Sequence, residues 1–169
     1  MAILAQEGAS DRLVAHMRTV AARATAIADR LADRGVDIDV VLVSAGARLH
    51  DVGRTKSNGM DHAIVGAALL RARGLAEPLA LVVERHIGGG IDPMEAVALG
   101  LPEADYTPRT IEEKVVCHAD NLVDGSQSQR VGTELSWLRS RGMDHVADKI
   151  EALHAELTRL AGIDLDDVE

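Results

Sequence analysis

Between residues 13 and 31 the apolar side chains Leu13, Val14, Met17, Val20, Ala24, Ile27, Ala28 and Leu31 fall on one face of a helix. A strand, with its period of two, cannot produce that pattern. Ser10 or Asp11 can cap this segment and Gly35 ends it. The same reading predicts a second helix, capped by Asp37 or Asp39 and running through Val40-Val41-Leu42-Val43 toward Leu49. Asp61 is placed to cap a third, which carries Ile64, Val65, Ala68 and Leu69 and stops at Gly74. Pro78 suits the first turn of a fourth, ending about His86. Thr110 and Glu113 have capping-box spacing at the start of a fifth, which reaches Leu122 or Val123. Two more are expected around residues 135–139 and 144–160. Residues 52–60 and 125–132 read as polar loops. Residues 88–109, with Gly88-Gly89-Gly90 and three prolines, read as irregular apart from a short helix near Glu95. The acidic tail, residues 164–169, is expected to fray.

The expected class is therefore all-α, and composition agrees. Hydrophobic residues make up 47% of the chain, yet Phe is absent and Trp137 and Tyr106 are the only aromatics. The core must be aliphatic, and Ala and Leu favour helix. No repeat or linker divides the chain, so residues 1–169 read as a single domain. That length buries a core without a staple, so a bound metal would be functional rather than structural. Cys117 is the one cysteine, which precludes an internal disulfide; in the run Val115-Val116-Cys117 it reads as a core residue.

A net charge of -9 and few aromatics argue against general nucleic-acid binding. The N-terminus lacks the pattern of a signal peptide, and no apolar run approaches the ~20 residues of a membrane span. The expectation is a cytoplasmic protein without membrane partners. A homo-oligomer stays open.

Against this aliphatic background the polar residues at core-facing or helix-end positions stand out. His16 shares its helical face with Leu13 and Val20. Alone, it would read as a hydrogen-bonded core histidine. His50 and Asp51 fall where the second helix should end, and there both side chains can turn to one point. His62 begins the third helix and His86 ends the fourth. Asp120 lies among Val116, Ala119 and Val123, where a carboxylate is costly to bury unless paired or bound to metal. Four histidines and two aspartates so placed are the ingredients of an imidazole–carboxylate site. Such a site suits Fe, Mn, Co, Ni or Zn better than Ca or Mg.

The segment Leu49-His50-Asp51-Val52-Gly53-Arg54 resembles the signature of the HD superfamily of metal-dependent phosphohydrolases. His16, Asp61-His62-Ala63-Ile64-Val65-Gly66, Glu84-Arg85-His86 and the stretch from Lys114 through Ala119-Asp120-Asn121 follow in that superfamily's order. Together they resemble small stand-alone archaeal HD proteins. The resemblance covers roughly residues 10–125, and residues 126–169 form a C-terminal helical extension without a motif. It implies an HD-domain helical bundle with a five-helix metal-binding core. It also implies primary metal ligands at His16, His50, Asp51 and Asp120. His62 and His86 match the extra histidines of two-metal members, with Asp51 bridging two divalent transition metals. One histidine of the richest two-metal branch is missing. His118, ~200° around the helix from Asp120, does not clearly replace it and reads as structural. His145 and His154 read as surface or packing residues.

The implied activity is hydrolysis of a phosphate ester or anhydride by metal-activated water, with a small phosphorylated substrate such as a nucleotide. Small bacterial enzymes that split dinucleoside tetraphosphates carry a similar ligand order. Asp51 would be catalytic, and Arg54 and Lys114 would hold phosphate; Lys56 is a further cation nearby. Arg54 and Lys56 read equally as decoration on a solvated loop, and Gly88-Gly89-Gly90 as a plain loop or a lid hinge. The rival readings are a di-iron oxygenase, a non-catalytic nucleotide- and metal-binding regulator, and a role in RNA processing.

Overall fold

Helical periodicity becomes nine α-helices and one short hairpin among residues 2–168, the residues described by this computed structural model. In chain order the helices are α1 (Ala2–Gln6), α2 (Asp11–Asp33), α3 (Val40–Ala47), α4 (His62–Ala72), α5 (Glu77–Glu84), α6 (Pro93–Ala98), α7 (Ile111–Asn121), α8 (Val131–Ser140) and α9 (Asp144–Ala161). The strands β1 (Val123–Asp124) and β2 (Gln127–Ser128) pair antiparallel. Single 3-10 turns occur at Val52–Thr55 and Leu165–Asp167. The all-α expectation holds.

The long α2 organises the packing. Ser10 accepts a hydrogen bond from the Leu13 amide at 3.3 Å and starts the helix. Its apolar stripe buries Met17, Val20, Ala21, Ala24, Ile27, Ala28 and Leu31. That stripe meets α3, α7 and α9, and with α8 they enclose the main aliphatic core, Cys117 included. A second core joins α1, the start of α2, α4 and α5 through Leu4, Met17, Val52, Leu70 and Val83. A third, small cluster of Ile91, Ala96, Leu101 and Tyr106 supports α6. Among the described residues no helix is long and apolar enough to cross a membrane.

Several local expectations need correction. Helix α1 was not legible: five residues carry too little periodicity, and burial of Leu4 against the second core holds it. The loop expected at 52–60 begins as a 3-10 turn. Asp61 precedes α4 but caps nothing, because its carboxylate accepts from Ser57 Oγ at 2.5 Å. The capping box at α7 is half formed. Thr110 accepts from the Glu113 amide at 3.3 Å, but the Glu113 carboxylate is drawn to the Arg109 amide and to Arg85 instead.

The acidic tail is docked rather than frayed up to Val168; Glu169 lies outside the described residues. Leu165 and Val168 are buried, Asp166 accepts from the Val131 amide at 2.9 Å, and Arg23 donates to the carbonyls of Leu165 and Val168. Residues 88–90 form a packed loop. A side chain at Gly90, whose φ is +104°, would lie 2.8 Å from the Pro108 ring.

Candidate metal centre

The six singled-out polar residues come from three helices and from the turns that follow two others. His16 comes from the second turn of α2, His50 and Asp51 from the turn after α3, and His62 from the first position of α4. His86 lies two residues beyond α5, and Asp120 is in the last turn of α7. His50, Asp51, His62 and His86 are buried; His16 and Asp120 are partly exposed. The structure brings all six together.

Backbone carbonyls orient every ring. His50 Nδ1 donates to Ala47 O at 2.8 Å, His62 Nδ1 to Gly59 O at 2.7 Å, and His86 Nδ1 to Val83 O at 2.7 Å. In each case the carbonyl lies three residues upstream. His16 Nδ1 donates to Gly125 O, at the hairpin turn, at 2.7 Å. A carbonyl only accepts, so each Nδ1 carries its hydrogen and each Nε2 of a neutral ring presents a lone pair. Those Nε2 atoms converge: His16 and His50 at 3.3 Å, and His62 and His86 at 3.3 Å.

The carboxylates sit between them. Asp120 Oδ1 is 3.0 Å from His16 Nε2 and 3.3 Å from His50 Nε2. Asp51 divides its oxygens. Oδ2 is 3.8 Å from both His16 and His50, while Oδ1 is 3.0 Å from His62 and 3.5 Å from His86. Three donor sets result, each with its atoms within 4.8 Å: His16, His50 and Asp51; His50, His86 and Asp120; and Asp51, His62 and His86.

This arrangement fits cations. Asp51 Oδ1 is buried without a hydrogen-bond donor, a costly condition for a carboxylate oxygen. Facing lone pairs at 3.3 Å repel unless something positive lies between them. Burial opposes charge at His50, yet Asp120 and Asp51 overcome it and hold its pKa up at about 9. Burial would raise both carboxyls, but the neighbouring histidines hold Asp51 and Asp120 well below the usual carboxylate range. The centre therefore favours positive charge, and its nitrogen–oxygen donor set suits a divalent transition metal.

A backbone contact fixes the two halves of the centre. A Cβ on Gly53 would lie 1.9 Å from His62 O and 2.6 Å from Gly66 N. The 3-10 turn that follows Asp51 thus lies directly against the start of α4.

Among the expected phosphate-binding cations, Arg54 is at the centre, where its Nε donates to Asp51 Oδ2 at 2.6 Å. Lys114 is not: its ammonium pairs with Glu156 on α9 at 2.7 Å. Position 114 lies less than two turns before Asp120 and on another face of α7. Lys56 pairs with Glu7 at 2.8 Å. A cavity of about 470 Å³ opens over His16 and Asp51, lined also by Ser10, Arg12, Leu13, Arg54, Asn58 and Gly125. Arg12 went unnoticed in the sequence, although its position one turn before His16 places it on the same side of α2. Nothing in the sequence marks the Gly125 carbonyl. His118 is buried away from the centre and meets His154 Nδ1 at 3.0 Å, while His145 meets Glu95 at 3.2 Å.

Residues 13–123 match the family described as HD domain. The tRNA (cytidine(56)-2'-O)-methyltransferase of Thermoplasma volcanium is 42% identical over 166 residues, which are 98% of this chain and 48% of that protein. The chain thus spans about half the length of that relative. A protein of Methanocaldococcus jannaschii is 42% identical over 153 residues, 89% of this chain and 90% of its own. Among solved structures, the HD domain of the phosphodiesterase PgpH from L. monocytogenes has a TM-score of 0.54 at 17% identity, covering 95% of this chain and 96% of that one. At that identity the likeness speaks for the fold.

Proposed function

The chain belongs to the HD-domain family, and from that premise we propose that it is a metal-dependent phosphohydrolase acting on a small phosphorylated substrate, a nucleotide or dinucleotide foremost. The single observation that carries this reading is the division of Asp51, one oxygen facing each histidine pair. In this reading His16, His50 and Asp120 hold one divalent transition metal, His62 and His86 hold another, and Asp51 is shared. Fe, Mn, Co, Ni and Zn all suit such donors. When bound, the metal pair supplies a water acidified to near neutral pH and positive charge for phosphoryl oxygens.

The chain's own groups do the rest. The four Nδ1–carbonyl hydrogen bonds keep the Nε2 atoms aimed inward, so no ring has to reorient during turnover. Arg54, tied to Asp51, and Arg12 across the cavity present guanidinium groups to a substrate phosphate. Lys114 has no part in this proposal, because Glu156 holds it elsewhere.

A second reading keeps the centre and changes the substrate. The name of the Thermoplasma volcanium relative brings RNA into consideration, and a terminal phosphate on RNA would fit the same pocket. The net charge of -9 weighs against a general nucleic-acid groove.

The test is metal analysis of freshly purified protein, followed by a phosphate-release screen with that metal restored. The panel holds nucleotides and phosphorylated RNA ends, read by inorganic phosphate, and dinucleoside polyphosphates, read by the mononucleotides their hydrolysis yields. Release from the small compounds supports the first reading, and release from RNA alone supports the second. Metal-loaded protein that releases phosphate from none of them, but consumes oxygen, would replace both with the oxygenase reading.

A further inference from the structure

We propose that the buried pair Arg85–Glu113 is a positioning device that sets His86 and thereby governs occupancy of the His62–His86 metal position; this rests on the two-metal reading above. Glu113 is 2% exposed. Both its oxygens accept from Arg85 Nη1 at 3.1 Å, and Oε2 also accepts from the Arg109 amide at 2.7 Å. The Nε of Arg85 is buried without a partner, so the guanidinium is committed to Glu113 rather than to a wider network.

Stability does not account for such a pair. Desolvating both charges consumes most of their attraction, and a well-packed apolar pair in the same place is often as stable or more so. What the pair does supply is a directional tie. Arg85 immediately precedes His86, at the point where the chain leaves α5 with φ -113°. Beyond that point the His86 ring is held by one bond to the Val83 carbonyl. Glu113 lies on α7 seven residues before Asp120, two turns that return to nearly the same face. One face of α7 therefore carries Asp120 into the first donor set and fixes, through Glu113, where the loop bearing His86 can sit. The pull on Glu113 is strong enough to leave the capping box of α7 half made.

The test is metal stoichiometry by elemental analysis and chelator competition, with kinetics alongside. Wild type should bind two metals per chain. Glu113→Gln keeps the shape and loses the charge. It should weaken the second metal on the order of tenfold, the low end of the effect of losing a group bonded directly to a ligand because Glu113 acts through Arg85, and leave the first unchanged. Glu113→Ala strands a buried charge and tests folding as much as positioning, so the decisive variant is Arg85→Leu with Glu113→Leu, whose melting temperature should match or exceed wild type. It should retain one metal, with kcat falling more than tenfold and KM changing little. Arg85→Lys, which keeps a cation opposite Glu113, should retain part of the second site. Two metals at wild-type affinity in the double-leucine variant would overturn the proposal, as would equal loss of both metals in a folded variant. A wild type that binds a single metal would overturn the two-metal reading and this inference together.

Discussion

Asp51 directs Oδ1 to His62 Nε2 at 3.0 Å, across a backbone contact between the turn at Val52–Thr55 and the start of α4. These two residues are eleven positions apart, yet their relative placement decides whether one carboxylate can serve two histidine pairs. Asp51→Ala should therefore lose both bound metals and all phosphate release while keeping its helical circular dichroism, since the aliphatic cores do not depend on the centre. Wild-type turnover in this variant would end the metal-hydrolysis mechanism.

Gly53→Ala should be severe. The new methyl would enter the backbone of α4, where no side-chain rotation relieves the clash. Overpacking ordinarily costs about 1–3 kcal/mol, and a backbone clash belongs at or above the top of that range. Urea denaturation should show a loss of at least ~3 kcal/mol, or no folded protein. A variant within ~0.5 kcal/mol of wild type would contradict the close approach.

Arg54→Ala and Arg12→Ala should each retain metal and lower kcat/KM about ten- to a hundredfold. A charge-assisted contact to phosphate is worth ~1.5–3 kcal/mol. Lys114→Ala should leave kcat/KM unchanged, because that side chain is bound to Glu156. Michaelis–Menten kinetics on the three variants separate these outcomes. A large loss for Lys114→Ala alone would reverse the assignment.

Leu165→Ala tests the docked tail. The side chain is fully buried against the main core, so truncation should cost ~2–5 kcal/mol, as for other buried leucines. A frayed tail would show no change in the denaturation midpoint.

Burial pushes the Cys117 thiol up to about 12, from 9.0 in an exposed setting. Between those values the unfolded chain has lost the proton and the folded chain retains it. The thiol's contribution to stability is thus complete below about pH 9. It is lost as pH rises toward 12, by at most ~1.4 kcal/mol per pH unit. Cys117→Ala should flatten this part of the stability–pH curve relative to wild type. Iodoacetamide should label the native thiol slowly at pH 8 and rapidly in denaturant. Fast native labelling would contradict the burial.

The helices and the residues worth suspecting were legible in the chain because both are local. A helix closes hydrogen bonds four residues apart, so an apolar stripe repeats along the sequence, and α2 announces itself that way; α3, α4, α5 and α7 are marked instead by caps, a first-turn proline or a glycine stop beside an apolar segment. Polar residues on an apolar face, as at His16 and Asp120, or at a helix end, as at His50, Asp51, His62 and His86, are equally visible. Tertiary packing alone decided what those residues face. The Gly125 carbonyl orients His16 from 109 positions away. Arg85 draws Glu113 off its helix end, Glu156 removes Lys114 from the centre, and the core captures a tail that is acidic on paper. Each outcome turns on which of several competing partners is nearest once the helices pack. Side chains respond to that distance in space, which spacing along the chain does not encode.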